Sequence, residues 1–216
     1  AMGFNHLLLE IFAFKVFIIL FYLALLWLIW RLSNKSVFSL SLFALNPLVI
    51  TEILISAHND VAMMALALLS FYFLRKNKNL LALLLLLASI LIKYVTLALL
   101  PIYIYFLIKK RQQERTEWKV IWKWSVMAMY IVFLLSPLRE EIYSWYLIWP
   151  LTFVSLLGSA GWWLFVSLGF SFGLLFRIAP FIYWGTWGGL TPLIKKVVTL
   201  LPPLIVTIYY AARKKI

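Results

Sequence analysis

The chain has 216 residues, 65% hydrophobic and only 12% charged, with a net charge of +13 and no cysteine. A soluble domain is about half apolar and about a quarter charged, so this composition excludes an ordinary one. The missing thiol excludes disulfides, zinc–thiolate sites and cysteine nucleophiles.

Long apolar blocks recur along the chain and predict an all-α, polytopic transmembrane helical bundle with several short or broken helices. Runs such as LLALLLLLASILI do not alternate, which argues against an outer-membrane barrel. The basic residues gather in the short breaks between blocks. The positive-inside rule accounts for that pattern better than nucleic-acid binding does, so no nucleic acid is expected as a partner.

Residues 7–32 read as the first spanning helix, with Arg31 and Lys35 at a cytoplasmic end. The block is too long for a signal-peptide core and has no basic segment before it. Residues 36–74 follow, closed by Arg75, Lys76 and Lys78. One helix of that length would rise about 58 Å, against a bilayer core of about 30 Å, and Pro47 would interrupt it. Two short passes are expected, turning in a region that holds Asn46, Glu52, His58, Asn59 and Asp60. Residues 79–108 also lie between basic breaks, with Lys93 as the one charge near their middle. Two half-passes or one long kinked helix both fit. The first places Lys93 at the same membrane face as Asp60.

The hydrophilic stretch KKRQQERTEWKVIWK reads as a cytoplasmic loop, residues 124–136 return across the membrane, and PLREEIYSWYLIWP lies on the far side. Beyond Pro150, breaks are expected at Gly158 to Gly161, at WGTWGG and at LPP, giving two to four further passes. Lys195 and Lys196 count among the cytoplasmic breaks. The whole chain, 1–216, reads as a single transmembrane domain.

Asp60 is the only aspartate, and His58 is one of two histidines. A charge inside a spanning segment costs about 2.5–3.5 kcal/mol and calls for a reason. One reason is structural: Asn59 caps a returning helix and Asp60 complements its dipole. That leaves His58 and Glu52 unexplained. Lys93 either snorkels to the headgroups or faces a phosphate. Tyr143, Trp145, Tyr146 and Trp149 form either an interfacial belt or a stacking wall for a sugar. Arg139 is a candidate phosphate ligand or a membrane border residue, and Arg177 is similar. His58 and Asp60 could share a divalent cation, but two residues do not define a site, so no metal is assigned.

The segment ALNPLVITEILISAHNDVAMMALALL, followed by LALLLLLASILIKYVTLALLPIYI, resembles the C-superfamily (GT-C) integral-membrane glycosyltransferases, in particular the bacterial polyprenyl-phosphate-mannose-dependent mannosyltransferases. An Asn-Pro segment leads there to a His-Asn-Asp motif, and a Lys-Tyr pair sits in a later apolar block. Asn46, Pro47, Glu52, His58, Asn59, Asp60, Lys93 and Tyr94 match that order, and SWYLIWPL resembles the aromatic segment that follows. The resemblance implies transfer of a hexose, mannose first, from a polyprenyl-phosphate donor to a glycan or lipid-linked acceptor. It implies a multi-pass protein of a bacterial plasma membrane, among membrane lipids, with its active face extracytoplasmic. Donor or substrate binding would fall to Glu52, His58, Asn59, Asp60, Lys93, Tyr94, Arg139, Trp145 and Tyr146.

The family carries its presumed catalytic carboxylate in an extracytoplasmic loop after the first helix, several helices before the Asn-Pro segment. Here that segment arrives after one helix, and Glu10 is the only earlier acid. The expectation is therefore of a C-terminal portion of such an enzyme, with its catalytic base unassigned and no transfer by this chain alone. A transporter or translocase of lipid-linked sugars is the competing reading, since broken helices and midplane charges occur there too.

Overall fold

The computed structural model describes residues 7–114, 117–138, 141–158 and 161–213, and these contain helices and turns with no strand. In a bilayer the backbone must satisfy its own hydrogen bonds, and leucine-rich blocks without alternation do so as helices. The helices are α1 (Leu7–Leu32), α2 (Val37–Ala44), α3 (Pro47–Val49), α4 (Asp60–Arg75), α5 (Asn79–Ile92) and α6 (Leu100–Arg111), then α7 (Trp118–Leu135), α8 (Ile148–Leu157), α9 (Trp162–Leu175), α10 (Ala179–Trp184) and α11 (Thr191–Arg213). A π-helical segment, Ile50–Ile55, extends α3, and 3-10 segments precede α6 (Tyr94–Leu99), follow α7 (Ser136–Leu138) and precede α8 (Ser144–Leu147). Four stretches are long and apolar enough to cross a membrane: Leu7–Leu32, Trp118–Leu138, Trp162–Trp184 and Thr191–Arg213. The pair formed by α2 and the α3–π segment, bent by 50°, makes a fifth when taken as one broken span.

Contacts between helix ends give the molecule two poles. Lys93, just after α5, meets Asp60 at the start of α4. Ser136, after α7, lines a cleft with Lys93, and Trp149, early in α8, reaches Asp60. This is the site pole. At the opposite pole Arg31 shares a cavity with Arg75 and Lys76, Lys110 bonds to Asn79, and Arg75 lies over Trp118. Residues 36–74 run out and fold back, turning at Ser56 to Asn59. Of the two expectations for residues 79–108, the structure has two half-passes: α5 stops at Lys93, whose φ of −150° and ψ of 130° are extended.

Two expectations are corrected here. Lys195 is not at the basic pole: it meets Glu141 beside the end of α7, at the site pole. Pro202 and Pro203 do not end a block, because α11 runs through them. The two prolines leave the carbonyls of Val198 and Thr199, four residues back, without their usual partners. Gly173 of α9 packs on those same carbonyls. A Cβ there would lie 2.6 Å from Val198 O and 2.7 Å from Thr199 O, and one on Gly169 would lie 2.9 Å from Pro203 Cα. A glycine pair spaced four apart lets the backbones close up, Gly173 against the freed carbonyls and Gly169 against the Pro202–Pro203 backbone. The proline-containing helix is held by a neighbour that fits it.

Candidate functional site

The Asn-Pro pair builds the entrance to the site. Asn46 Oδ1 caps α3, accepting from Leu48 N at 3.0 Å and Val49 N at 3.4 Å, with Pro47 in the first turn where its missing N–H is not needed. Ser171 Oγ of α9 donates to the same oxygen at 2.8 Å. The π-helical segment that follows carries Glu52. The turn after it contains Ala57, whose φ of +57° is rare for a residue with a Cβ. His58 N–H then donates back to Glu52 O at 3.0 Å.

Asp60 lies at the first turn of α4 and is fully buried. Lys93 Nζ donates to its Oδ2 at 2.7 Å and Trp149 Nε1 to its Oδ1 at 2.6 Å. The carboxylate is thus compensated by an ammonium, an indole N–H and a helix N-terminus. Asn59 occupies the capping position but makes no side-chain cap bond, so that expectation fails. Its backbone, at φ −71° and ψ −5°, is already helical, whereas a capping residue is normally extended.

Lys93 keeps 29% of its side chain exposed and opens on a cleft of about 330 Å³ lined by Tyr94, Val132, Ser136, Tyr146 and Trp149. Its ammonium lies 5.9 Å from the Tyr146 ring centre, and Tyr146 stacks on Trp149 at 4.2 Å. A cation at an aromatic wall is a plain arrangement for an anion carrying a sugar.

Glu52 and His58 form a separate pair, with Nε2 to Oε2 at 3.2 Å. The imidazole stacks on Trp145 at 3.9 Å, and Trp145 stacks on Tyr143 at 4.6 Å. His58 and Asp60, considered together above as cation ligands, thus face different partners. No three His, Asp or Glu side chains converge among the described residues. Arg139 lies outside them.

Sequence reasoning missed two elements of this pole. Trp149 was placed in the aromatic patch, not at the aspartate. Arg177 and Lys195 both contact Glu141, Lys195 at 2.8 Å. The Lys195 ammonium, with Arg177 alongside, holds the Glu141 carboxyl below the usual carboxylate range. The one available signal was Arg177 itself, a cation in an apolar stretch.

Residues 1–109 match the family model described as Alpha-(1->6)-mannopyranosyltransferase, N-terminal domain. No curated protein and no solved structure matches the chain. The matched region contains Glu52, His58, Asp60 and Lys93, and the four long apolar helices of the whole chain are those of a multi-pass membrane protein. Since the match takes in half of the 216 residues, the chain belongs to the α-(1→6)-mannopyranosyltransferase family, whose members are mannose-transferring glycosyltransferases.

Proposed function

We propose that the site pole transfers mannose from a polyprenyl-phosphate donor to a hydroxyl of a glycan or lipid-linked acceptor, at the extracytoplasmic face, in the manner of GT-C enzymes. The observation that carries this reading is the Asp60–Lys93–Trp149 group at the cleft. It presents one ammonium, held from behind by a buried carboxylate, beside stacked aromatic rings.

In the reaction the bond between the sugar C1 and the phosphate oxygen breaks, and its electron pair leaves with the lipid phosphate. The acceptor oxygen bonds to C1 and its proton passes to a carboxylate base. Lys93 stabilises the charge that develops on the leaving phosphate. Tyr146 stacks on the sugar with the buried Trp149 ring behind it, and Tyr94 lies at the rim of the cleft. Glu52, His58 and Asn59 bind sugar hydroxyls, and Trp145 holds the His58 ring. Asp60 positions Lys93. It is not the base, since both of its oxygens are already engaged in full burial. The base is a carboxylate other than Asp60.

The test supplies the full-length protein encoded by the gene, purified in nanodiscs, with radiolabelled polyprenyl-phosphate-mannose and oligomannose acceptors. Lys93→Gln is expected to lower transfer by about a hundredfold or more. Lys93→Arg should retain part of it, because charge is kept while shape is not. Equal transfer from a nucleotide-linked mannose would overturn the donor assignment.

A further inference from the structure

A second cleft, of about 390 Å³, lies on the other side of the turn that ends α7: Ser136 lines the Lys93 cleft and Pro137 lines this one. Arg177, Lys195, Lys196 and Glu141 are its charged walls. The first two are well buried, with side-chain exposures of 15% and 11%. Lys195 lies 4.7 Å from the Trp187 ring centre and Arg177 5.7 Å from that of Tyr143. Three cations face one carboxylate, and Lys196 has no acidic partner among the described residues. Such an excess of positive charge at the edge of a bundle favours an anion.

Leu200 of α11 lines this cleft and also an apolar groove of about 390 Å³. The groove continues along one face of α11 over Pro203, Leu204 and Thr207, against Ile131 and Leu134 of α7 and Trp163 of α9. A basic seat and an apolar trough therefore adjoin at Leu200, within the membrane-spanning part of the chain.

The geometry points to a second lipid site, separate from the Lys93 cleft, that seats the anionic phosphate head of a lipid on Arg177, Lys195 and Lys196 and lays its chain along the α7–α9–α11 groove. Glu141 holds the seat in the absence of the lipid: its carboxylate bridges Arg177 and Lys195 where the phosphate binds. The site needs no sugar transfer, so it is tested by binding alone.

The experiment measures calorimetric binding to the purified chain in detergent of three probes: dioctanoyl phosphatidic acid, dioctanoyl phosphatidylcholine and inorganic phosphate. Saturable binding of the phosphatidic acid is expected, with the other two weaker by about a hundredfold or more, since one lacks the net charge and the other the chain. Arg177→Gln and Lys195→Gln should each weaken it by about tenfold. Lys196→Gln, which breaks no hydrogen bond or ion pair among the described residues, should weaken it in the same direction. Glu141→Gln should tighten it, a sign that mere loss of structure would not produce. Leu204→Trp should weaken the lipid but not inorganic phosphate. Equal affinity for phosphatidylcholine would overturn the charge assignment. Equal affinity for inorganic phosphate, or indifference to Leu204→Trp, would overturn the groove as the seat of the chain. Unchanged binding in Lys196→Gln together with Glu141→Gln would overturn the site.

Discussion

Asp60 and Lys93 are costly residues that make each other tolerable. Removing one charge of a buried pair typically costs about 3–5 kcal/mol, because the survivor is left uncompensated. Asp60→Asn and Lys93→Met are each expected to lower stability by about 3 kcal/mol, at the lower end of that range because Lys93 is partly exposed. The double variant should recover most of the loss, since the neutral pair leaves no orphaned charge, yet remain inactive. Denaturation and transfer assays on the four members of the cycle separate the two effects, and a double variant no more stable than the singles would refute the compensation. Much of this was legible in the sequence. A lone aspartate and a lone lysine in apolar blocks had to be satisfied, and one of the two readings of residues 79–108 put them at one face. Trp149 was not legible, because a tryptophan beside a membrane interface looks the same whether it anchors to lipid or donates to a carboxylate 89 residues away. Nor was the division of labour between two asparagines. Asn46 caps α3, whereas Asn59, expected to cap α4, makes no cap bond because its backbone is already helical.

Among the elements, α9 and α11 show where periodicity and breaker rules run out. A Pro-Pro pair reads as a stop, yet α11 continues because α9 brings Gly169 and Gly173 against the proline-containing stretch. Gly173→Val is expected to destabilise the bundle by about 3 kcal/mol or to splay α11 away, since its new atoms would meet backbone that cannot yield. Thermal unfolding should show a clear fall in midpoint, and an unchanged midpoint would mean that the contact is loose. The glycine spacing was the available clue, but nothing in the sequence says which helix a glycine face meets. The junction of α7, α9 and α11 also carries a pH dependence. Arg177 and Lys195 depress the Glu141 pKa in the folded state, so the carboxylate contributes stability above the unfolded value and loses it as pH falls through the lower, folded one. Wild-type stability should therefore fall as the pH drops from the ordinary carboxylate range through the lower, folded pKa of Glu141. Glu141→Gln should flatten that acid limb while lowering stability at pH 7. An identical pH profile for the variant would contradict the coupling.

Across the whole molecule, named groups mark the two poles. Arg31, Arg75, Lys76 and Lys110 mark one, and the pairs of Asp60 with Lys93 and of Glu141 with Arg177 and Lys195 mark the other. Cysteines placed one at a time in this cysteine-free chain should report the polarity with a membrane-impermeant maleimide in intact cells. Ser56→Cys and Lys196→Cys should label, and Gln113→Cys should be protected, with the reverse pattern placing the site on the inside. The same arrangement bears on time as well as space. Asp60 precedes Lys93 by 33 residues and Trp149 by 89. At a synthesis rate of about 5–20 residues per second, the lysine follows within about 2–7 s and the tryptophan only after about 4–18 s. During biogenesis the aspartate thus meets its counter-charge while α7 is still unmade, and the cleft acquires its aromatic wall last. A ribosome stalled between α6 and α8 would hold a charge-neutral hairpin that the membrane can accept but no sugar-binding surface, so insertion of the first half of the chain does not have to wait for the second.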